Sequence, residues 1–179
     1  MAKRRNKVAL FSRDYRRAPT SGMGLPPRRR FRRLRQIPVI GWMMMAVFGL
    51  VMLPVLVDAA KGLATPTRGC RIWQITDGDT VKLLCPKEGF SRGRLLGYDS
   101  PELFSPRCPS EWIHAVSATY YLRWQIWKAR RISTELHERD RYGRFLIDVK
   151  VDGQNLARRM VYAGMGRWYD GGRRAGWCT

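Results

Sequence analysis

Charged side chains cluster in one short apolar stretch of the chain, residues 93–103, whose sequence is GRLLGYDSPEL. The stretch begins like a β-strand and contains an arginine and two acids, Arg94, Asp99 and Glu102. Pro101 cannot donate to a ladder of strand hydrogen bonds, so it ends the strand. The sequence therefore places the arginine in the strand and the two carboxylates at its exit.

A third acid, Asp79, lies in the turn DGDT. The sequence therefore predicts that Asp79 and Asp99 both lie at strand ends. Paired carboxylates without a nearby cysteine or histidine suit a hard, oxygen-binding cation such as Ca²⁺. Pro101 biases Ser100 toward an extended backbone, which would turn the Ser100 carbonyl toward the same ion. We therefore predict a calcium site formed by Asp79, Asp99 and Ser100.

The remaining charged residues fit hydrolysis of a phosphodiester. Glu102 is free to activate a water molecule, and Arg94 offers a planar fork of donors to a phosphate. Arg144, in the turn DRYGR, is placed to supply a second fork. A metal ion and two arginines would neutralise the charge that develops on phosphorus, while the carboxylate takes a proton from water.

Five short strands are predicted to position these residues, because apolar residues alternate or run together there. They lie at 70–76, 81–85, 92–99, 131–137 and 144–151. The Asp-Gly pair in the turn DGDT supplies the positive φ that a tight hairpin needs. The first three strands are therefore predicted to form an antiparallel meander.

Two helices interrupt these strands. Apolar residues recur at intervals of three and four over 110–129, which predicts an amphipathic helix. We expect its apolar face to pack in the core, and that face carries Ile113, Val116, Tyr120, Trp124 and Trp127. A second, short helix is predicted within 154–164, with Gly164 as its stop. This order predicts an α+β domain with a five-stranded β-barrel of the OB type, which commonly binds nucleic acids or oligosaccharides.

The sequence resembles the thermonuclease family, the micrococcal-nuclease-like domains, over about residues 69–169. The motifs that carry the resemblance, in order, are DGDTVKLL at 77–84, RLLGYDSPE at 94–102, DRYGRFLIDVKVDG at 140–153 and LARRMVYAGMGRWY at 156–169. The resemblance implies a calcium-dependent nuclease that cleaves DNA with little sequence preference and leaves 3′-phosphates. We expect RNA to be cleaved as well.

The resemblance also assigns roles to individual positions. These are Asp79, Asp99 and the carbonyl of Ser100 as calcium ligands, Glu102 as general base, Arg94 and Arg144 as phosphate-binding arginines, and Arg141 and Tyr142 beside the nucleotide. Two segments depart from the family pattern: the loop 103–109, which is not lysine-rich, and the short glycine-rich tail DGGRRAGWCT. These departures concern substrate reach and C-terminal packing rather than the catalytic set.

Positive charge dominates the chain, whose formal net charge is +20. Residues 1–36 hold 13 Lys/Arg and one acid, for a net charge of +12, and the rest of the chain is also basic. Polyanions are therefore the expected partners: a nucleic-acid substrate for the domain and anionic lipid for the tail. The composition of residues 1–36 predicts a disordered tail.

An apolar run follows this tail, with no charged residue from Gln36 to Val57. The run is long enough to cross a bilayer as a helix. We therefore predict a tail over 1–36, an anchor over 37–58, a linker over 59–68 and a nuclease domain over 69–179. The arginines before the run predict a single-pass protein of a bacterial-type inner membrane, with a cytoplasmic N-terminus and a periplasmic or extracellular domain. A cleaved signal peptide with secretion, and a buried core helix, are the alternatives.

The four cysteines all follow the apolar run, where an oxidising environment would permit disulfides. Cys70 and Cys85 flank the first hairpin, and Cys178 would tie the tail to Cys108 after the catalytic loop. We predict the pairs Cys70–Cys85 and Cys108–Cys178, with buried free thiols as the alternative.

Two other functions remain open at this point. One is a non-catalytic, membrane-tethered OB module that binds nucleic acid, although simple binding would not need a general base at Glu102. The other is a structural membrane protein whose basic tail recruits partners. No obligate protein partner is evident from the sequence.

Overall fold

The structure of the protein is a computed structural model that describes residues 39–178. The predicted basic tail, residues 1–36, lies outside the described residues. The helices are α1 (Val39–Ala64), α2 (Pro109–Trp127) and α3 (Leu156–Tyr162). The strands are β1 (Thr67–Arg68), β2 (Arg71–Ile75), β3 (Thr80–Cys85), β4 (Gly89–Leu95), β5 (Gly97–Asp99), β6 (Ile132–Arg139), β7 (Phe145–Val151), β8 (Gln154–Asn155) and β9 (Arg167–Tyr169).

The main sheet is mixed and curled, with the strand order β1-β6-β7-β4-β3-β2 and β8 paired to β7. Strands β2, β3 and β4 form the predicted antiparallel meander, and β4 then lies parallel to β7. Val81, Leu83 and Ile147 are fully buried at the centre of the hydrophobic core. The five long strands of this sheet are the five predicted from the sequence, and together with the helices they confirm an α+β domain of the OB type.

The predicted third strand, 92–99, is divided in the structure. Its first part is the end of β4, while β5 leaves the main sheet and pairs with β9 near the C-terminus. The alternating pattern does not show this change of partner, because apolar residues continue through the break at Leu96. The division matters for the site because it places Arg94 and Asp99 on different sheets.

The predicted core face of α2 is wrong. Ile113, Tyr120 and Trp124 are 57%, 47% and 57% exposed. The buried apolar face instead carries Ala115, Ala118, Leu122 and Ile126. The cause is close packing, since a Cβ added to Gly78 would lie only 3.1 Å from the Cβ of Ala118. Small residues are needed where the helix crosses the turn before β3, and the aromatic residues are left on the opposite face.

Helix α1 continues past the predicted anchor as far as Ala64, so the predicted linker over 59–68 is helical in its first part. The reason is that the last turns of α1 pack on the domain. Asp58 is buried, and its carboxylate accepts hydrogen bonds from the side chains of Arg123 and Trp127 at 3.1 and 2.8 Å. Gly62 is also buried, and a Cβ there would overlap the carbonyl of Ile72.

Candidate active site

The turn that carries Asp79 is held from both sides. The Asp77 carboxylate accepts a hydrogen bond from the Asp79 backbone N–H at 3.1 Å, which fixes the turn locally. The hydroxyl of the buried Tyr98 donates to the Gly78 carbonyl at 2.6 Å and connects the turn to β5. Burial of this hydroxyl beside Asp79 raises the pKa of Tyr98 well above its usual range, so Tyr98 remains a donor. Asp77 and Tyr98 are positioning residues that the sequence analysis missed.

Arg94 joins the two acids that were predicted to bind metal. Its Nη2 lies 2.8 Å from Oδ2 of Asp79 and 3.3 Å from Oδ1 of Asp99. All three side chains are buried, and Ser100 beside them is buried too. The structure therefore brings Asp79, from a turn, and Asp99, at the end of β5, together around one guanidinium from β4, and Ser100 directly follows Asp99.

The electrostatics of this cluster favour an added cation. Burial and repulsion by Asp79 raise the pKa of Asp77 to about 7. Burial also raises the pKa of Asp99, against the opposing effect of nearby guanidinium groups. Crowded carboxylates that resist ionisation are the donor set of a hard divalent ion. The residues thus fit a hard divalent ion, and Asp79, Asp99 and the carbonyl of Ser100 are the groups that could hold it.

Arg144 reaches the same region from the loop between β6 and β7. Its guanidinium bonds to Asp140, and its Nη1 donates to Oγ1 of Thr80 at 3.3 Å, at the start of β3. Burial alone would raise the pKa of Asp140, but hydrogen bonds from Arg144 and from the Tyr142 backbone lower it below its usual value. The sequence analysis did not predict a role for Asp140. Its i,i+4 spacing from Arg144 is the signal that could have revealed the pair.

The two residues predicted to lie beside the nucleotide form the outer part of this loop. Tyr142 is 60% exposed, and the guanidinium of Arg141 lies 4.8 Å from the centre of its ring. The guanidinium of Arg144 lies 5.4 Å from the same ring. An exposed aromatic ring flanked by two cations is suited to stacking on a base next to a phosphate.

Most of these residues line one open cleft of about 890 Å³. Of the predicted site residues, the cleft is lined by Asp79, Arg94, Glu102, Arg141, Tyr142 and Arg144. Asp99 and Ser100 line an adjoining cavity of about 110 Å³ that shares Glu102 with the cleft. All eight residues predicted for metal, catalysis and substrate therefore surround two neighbouring cavities.

Comparison with protein families decides how this cleft is interpreted. The family model described as Staphylococcal nuclease homologue matches residues 92–175. The chain carries a thermonuclease-like domain. The match begins within β4 and contains Arg94, Glu102 and Arg144, while Asp79 lies before it, in the turn that precedes β3. No curated protein matches the chain.

The C-terminal tail of the thermonuclease-like domain lies on the active-site side, as the predicted Cys108–Cys178 pair implies, but the sequence analysis did not predict that Arg174 enters the site. Arg174 lies 2.7 Å from Oε1 of Glu102 and 3.0 Å from Oδ1 of Asp99. The tail is held by the disulfide Cys108–Cys178, and the other disulfide is Cys70–Cys85. These are the two pairs predicted from the sequence. The Cys108–Cys178 pair was the only signal that the tail lies on the active-site side.

Proposed function

We propose that the thermonuclease-like domain is a calcium-dependent nuclease that hydrolyses DNA and RNA with little sequence specificity. The observation that carries the proposal is the convergence of Asp79, Asp99, Glu102, Arg94 and Arg144 on the cleft and the small cavity that adjoins it. Ion pairing alone would not need a half-exposed carboxylate at the mouth of the cleft, and Glu102 is such a group. Hydrolysis does need one, because a water molecule must reach the base.

In the proposed hydrolysis of a phosphodiester, each of these groups has one role. Asp79, Asp99 and the Ser100 carbonyl would hold the calcium ion, which would supply positive charge at the phosphate. Glu102 takes a proton from water, and the water oxygen forms a new bond to phosphorus. The bond from phosphorus to the 5′ oxygen breaks, the leaving 5′ oxygen takes a proton from solvent, and the products are a 3′-phosphate and a 5′-hydroxyl. Arg144 and Arg94 donate hydrogen bonds to the phosphate oxygens as negative charge develops on them.

Substrate binding would depend on the backbone of the nucleic acid rather than on its sequence. Arg92, Arg141 and Arg144 line the cleft and would contact phosphates, which are the same at every position. Tyr142 would stack on a base, and stacking is available to all four bases. This arrangement supports activity on both DNA and RNA, with strong dependence on salt concentration.

The test is digestion by the purified full chain in detergent. Single-stranded DNA, double-stranded DNA and RNA are each incubated with CaCl₂ or with EGTA, and the end groups of the products are mapped. Calcium-dependent release of 3′-phosphate ends is expected. Binding of the same oligonucleotides without any cleavage would contradict the proposal and favour the non-catalytic OB module.

We further propose that α1 anchors the domain to a bacterial-type inner membrane, with the N-terminus in the cytoplasm and the nuclease in the periplasm or outside the cell. The helix is long and apolar enough to cross a bilayer, since an 18-residue stretch of it has a mean hydropathy of 2.3. None of the residues in that stretch is buried in the structure. Its exposed apolar surface does not resemble that of a core helix. Asp58 supports an uncleaved anchor, because removal of this buried residue would leave the partly buried Arg123 guanidinium without its carboxylate.

Fractionation tests this location. The intact protein is expected in the membrane after a salt wash, and a reporter that is active only outside the cytoplasm should be active when fused after Thr179. A soluble, shortened product that begins near Ala60 would establish signal cleavage and secretion instead. Removal of residues 1–36 should leave the nuclease chemistry intact, whereas a purely structural, partner-recruiting protein would lose its function.

A further inference from the structure

The tail from Asp170 to Cys178 crosses the mouth of the site as a strap. Within it, Arg174 forms ion pairs with two carboxylates at once, one of them a calcium ligand in the proposed function and the other the proposed base. Its Nε lies 3.0 Å from Oδ1 of Asp99, and its Nη1 lies 2.7 Å from Oε1 of Glu102. The Arg174 side chain is 36% exposed, so the guanidinium is partly shielded from solvent.

The strap is fastened on both sides of Arg174. After it, Cys178 is bonded to Cys108, and the buried Trp177 donates its indole N–H to Asp99 Oδ2 at 3.4 Å. Before it, the Tyr169 hydroxyl donates to the Gly172 carbonyl at 2.8 Å. Arg167 donates to the Gly176 carbonyl at 2.8 Å. An arginine on a free tail would be solvated, whereas this one is held against the carboxylates.

We propose that Arg174 is a built-in competitor of the metal ion, so that calcium must displace its guanidinium before the site becomes active. This proposal rests on the proposed function, because it requires calcium at Asp79 and Asp99. Two guanidinium groups already contact Oδ1 of Asp99, Arg174 at 3.0 Å and Arg94 at 3.3 Å, so a calcium ion added at this oxygen would meet strong like-charge repulsion. The competition sets the calcium concentration at which the nuclease becomes active.

The contact of Arg174 with Glu102 also suppresses the proposed general base. An arginine bonded to Oε1 of Glu102 occupies a position that the attacking water must approach, and it uses a lone pair of the oxygen to which that water would donate. Displacement of Arg174 by calcium therefore completes the metal site and frees Glu102 in one movement. The strap is an autoinhibitory element that responds to the ion required for the reaction.

The charges in the cluster agree with this order of events. Without metal, Asp79, Asp99 and Glu102 face two guanidinium groups, those of Arg94 and Arg174. Arg94 is buried and bridges both proposed metal ligands, whereas Arg174 comes from an irregular segment at the surface. Arg174 is therefore the cation that can leave when a divalent ion adds its charge.

The test is isothermal titration of CaCl₂ into the full chain in detergent, with Arg174→Ala, Arg174→Gln and the matched control Arg173→Ala. Arg173 lies on the same exposed strap and makes no ion pair within residues 39–178, so its removal changes the net charge equally without freeing a carboxylate. Both Arg174 variants are expected to bind calcium about tenfold more tightly. The hydrogen bonds that calcium must otherwise break involve charged groups, and the free energy of one such bond corresponds to roughly a tenfold change in Kd or more. Arg173→Ala is expected to stay within about twofold of the unmodified protein, as exposed charges do.

Hydrogen exchange gives a second measurement that does not depend on turnover. In the unmodified protein, CaCl₂ should increase amide exchange in the peptide 170–178, because the strap is released. Equal or weaker calcium affinity in both Arg174 variants would overturn the competition while leaving the metal site in place. Unchanged or slower exchange of the strap with calcium bound would overturn it as well. Failure of every protein to bind calcium would overturn both the metal site and the competition.

Discussion

The Arg144 guanidinium is joined to Asp140 by two nitrogens, with Nε 2.8 Å and Nη2 2.7 Å from the same carboxylate oxygen, Oδ2. The other oxygen of Asp140 accepts hydrogen bonds from the backbone N–H groups of Tyr142 and Arg144, at 2.9 and 3.0 Å. One carboxylate thus fixes both the loop and the direction of its arginine. The arginine is oriented before substrate arrives, which lowers the cost of ordering it on binding.

Replacing Asp140 by Asn should reduce kcat/KM by about 10–100-fold, because Arg144 loses its orientation although it keeps its charge. Steady-state kinetics on a DNA oligonucleotide would measure the loss. Asp148→Asn is the matched control, since Asp148 pairs with His137 on the surface outside the cleft. Equal activity of the two variants would contradict a positioning role for Asp140.

The lowered pKa of Asp140 predicts how stability depends on pH. Its ion pair stabilises the fold fully above the ordinary carboxyl pKa of 3.8, and this contribution is lost as the pH falls through the lower pKa of the folded state. The difference in melting temperature between the unmodified protein and Asp140→Asn should therefore be constant above about pH 5 and shrink below pH 3.8. Thermal denaturation of both proteins across this range measures it. A difference that grows on acidification would show that the ion pair is not its source.

Glu102→Gln should lower kcat by roughly 10²–10⁴-fold, the usual loss on removal of a general base. Single-turnover cleavage with saturating CaCl₂ measures the effect, and the melting temperature reports whether the fold is kept. Glu88→Gln removes an acid that pairs with Arg139 outside the cleft and is the matched control. Near-normal turnover by Glu102→Gln would remove Glu102 from the mechanism.

Arg144→Lys and Arg94→Lys should each lose most activity although the positive charge is kept. A lysine ammonium cannot present two parallel donors to a phosphate, and it cannot bridge Asp79 and Asp99 as the Arg94 guanidinium does. Cleavage rates and oligonucleotide affinity should be measured for each variant. Arg130→Lys, at an exposed position outside the cleft, controls for the substitution itself. Rates within a few-fold of normal in both variants would reduce the two arginines to general electrostatic attraction.

Asp58→Ala should destabilise the fold by about 1–3 kcal/mol, because it leaves the partly buried Arg123 guanidinium without its carboxylate. The Trp127 indole N–H loses its acceptor at the same time. The free energy of unfolding in detergent measures the loss, and Lys61→Ala, an exposed position on the same helix, is the control. Equal stability of the two variants would show that α1 does not need its contact with the domain.

The sequence was sufficient to predict the elements of secondary structure that depend on a local pattern of apolar residues. The five long strands were predictable because apolar residues alternate or run together in each of them. Arg94 lies in a strand as the pattern predicts, but Asp99 lies in the separate strand β5, which the pattern did not distinguish from β4. The packed face of α2 was not predictable, because apolar residues recur at helical spacing on both of its faces. Only the close approach of the neighbouring turn at Gly78 selects the face with small residues.

The contributions of irregular segments to the site could not be predicted. Arg174 lies in a tail without periodicity, and its distance in sequence from Glu102 gives no reason to pair them. The Tyr98 hydroxyl bond to Gly78 likewise depends on β5 leaving the main sheet for β9. Contacts of this kind are set by the three-dimensional path of the chain rather than by local patterns.

The burial of Asp58 and Gly62 at the end of α1 has a mechanical consequence. A flexible linker would let a tethered domain rotate relative to its helix, but here α1 enters the domain directly, since its last turns pack on β2. With α1 in a bilayer, the cleft is therefore held at a fixed distance from the membrane and in a fixed orientation. Such an enzyme cannot sweep the surrounding volume, so it would cut strands that are drawn past it or that lie along the membrane surface.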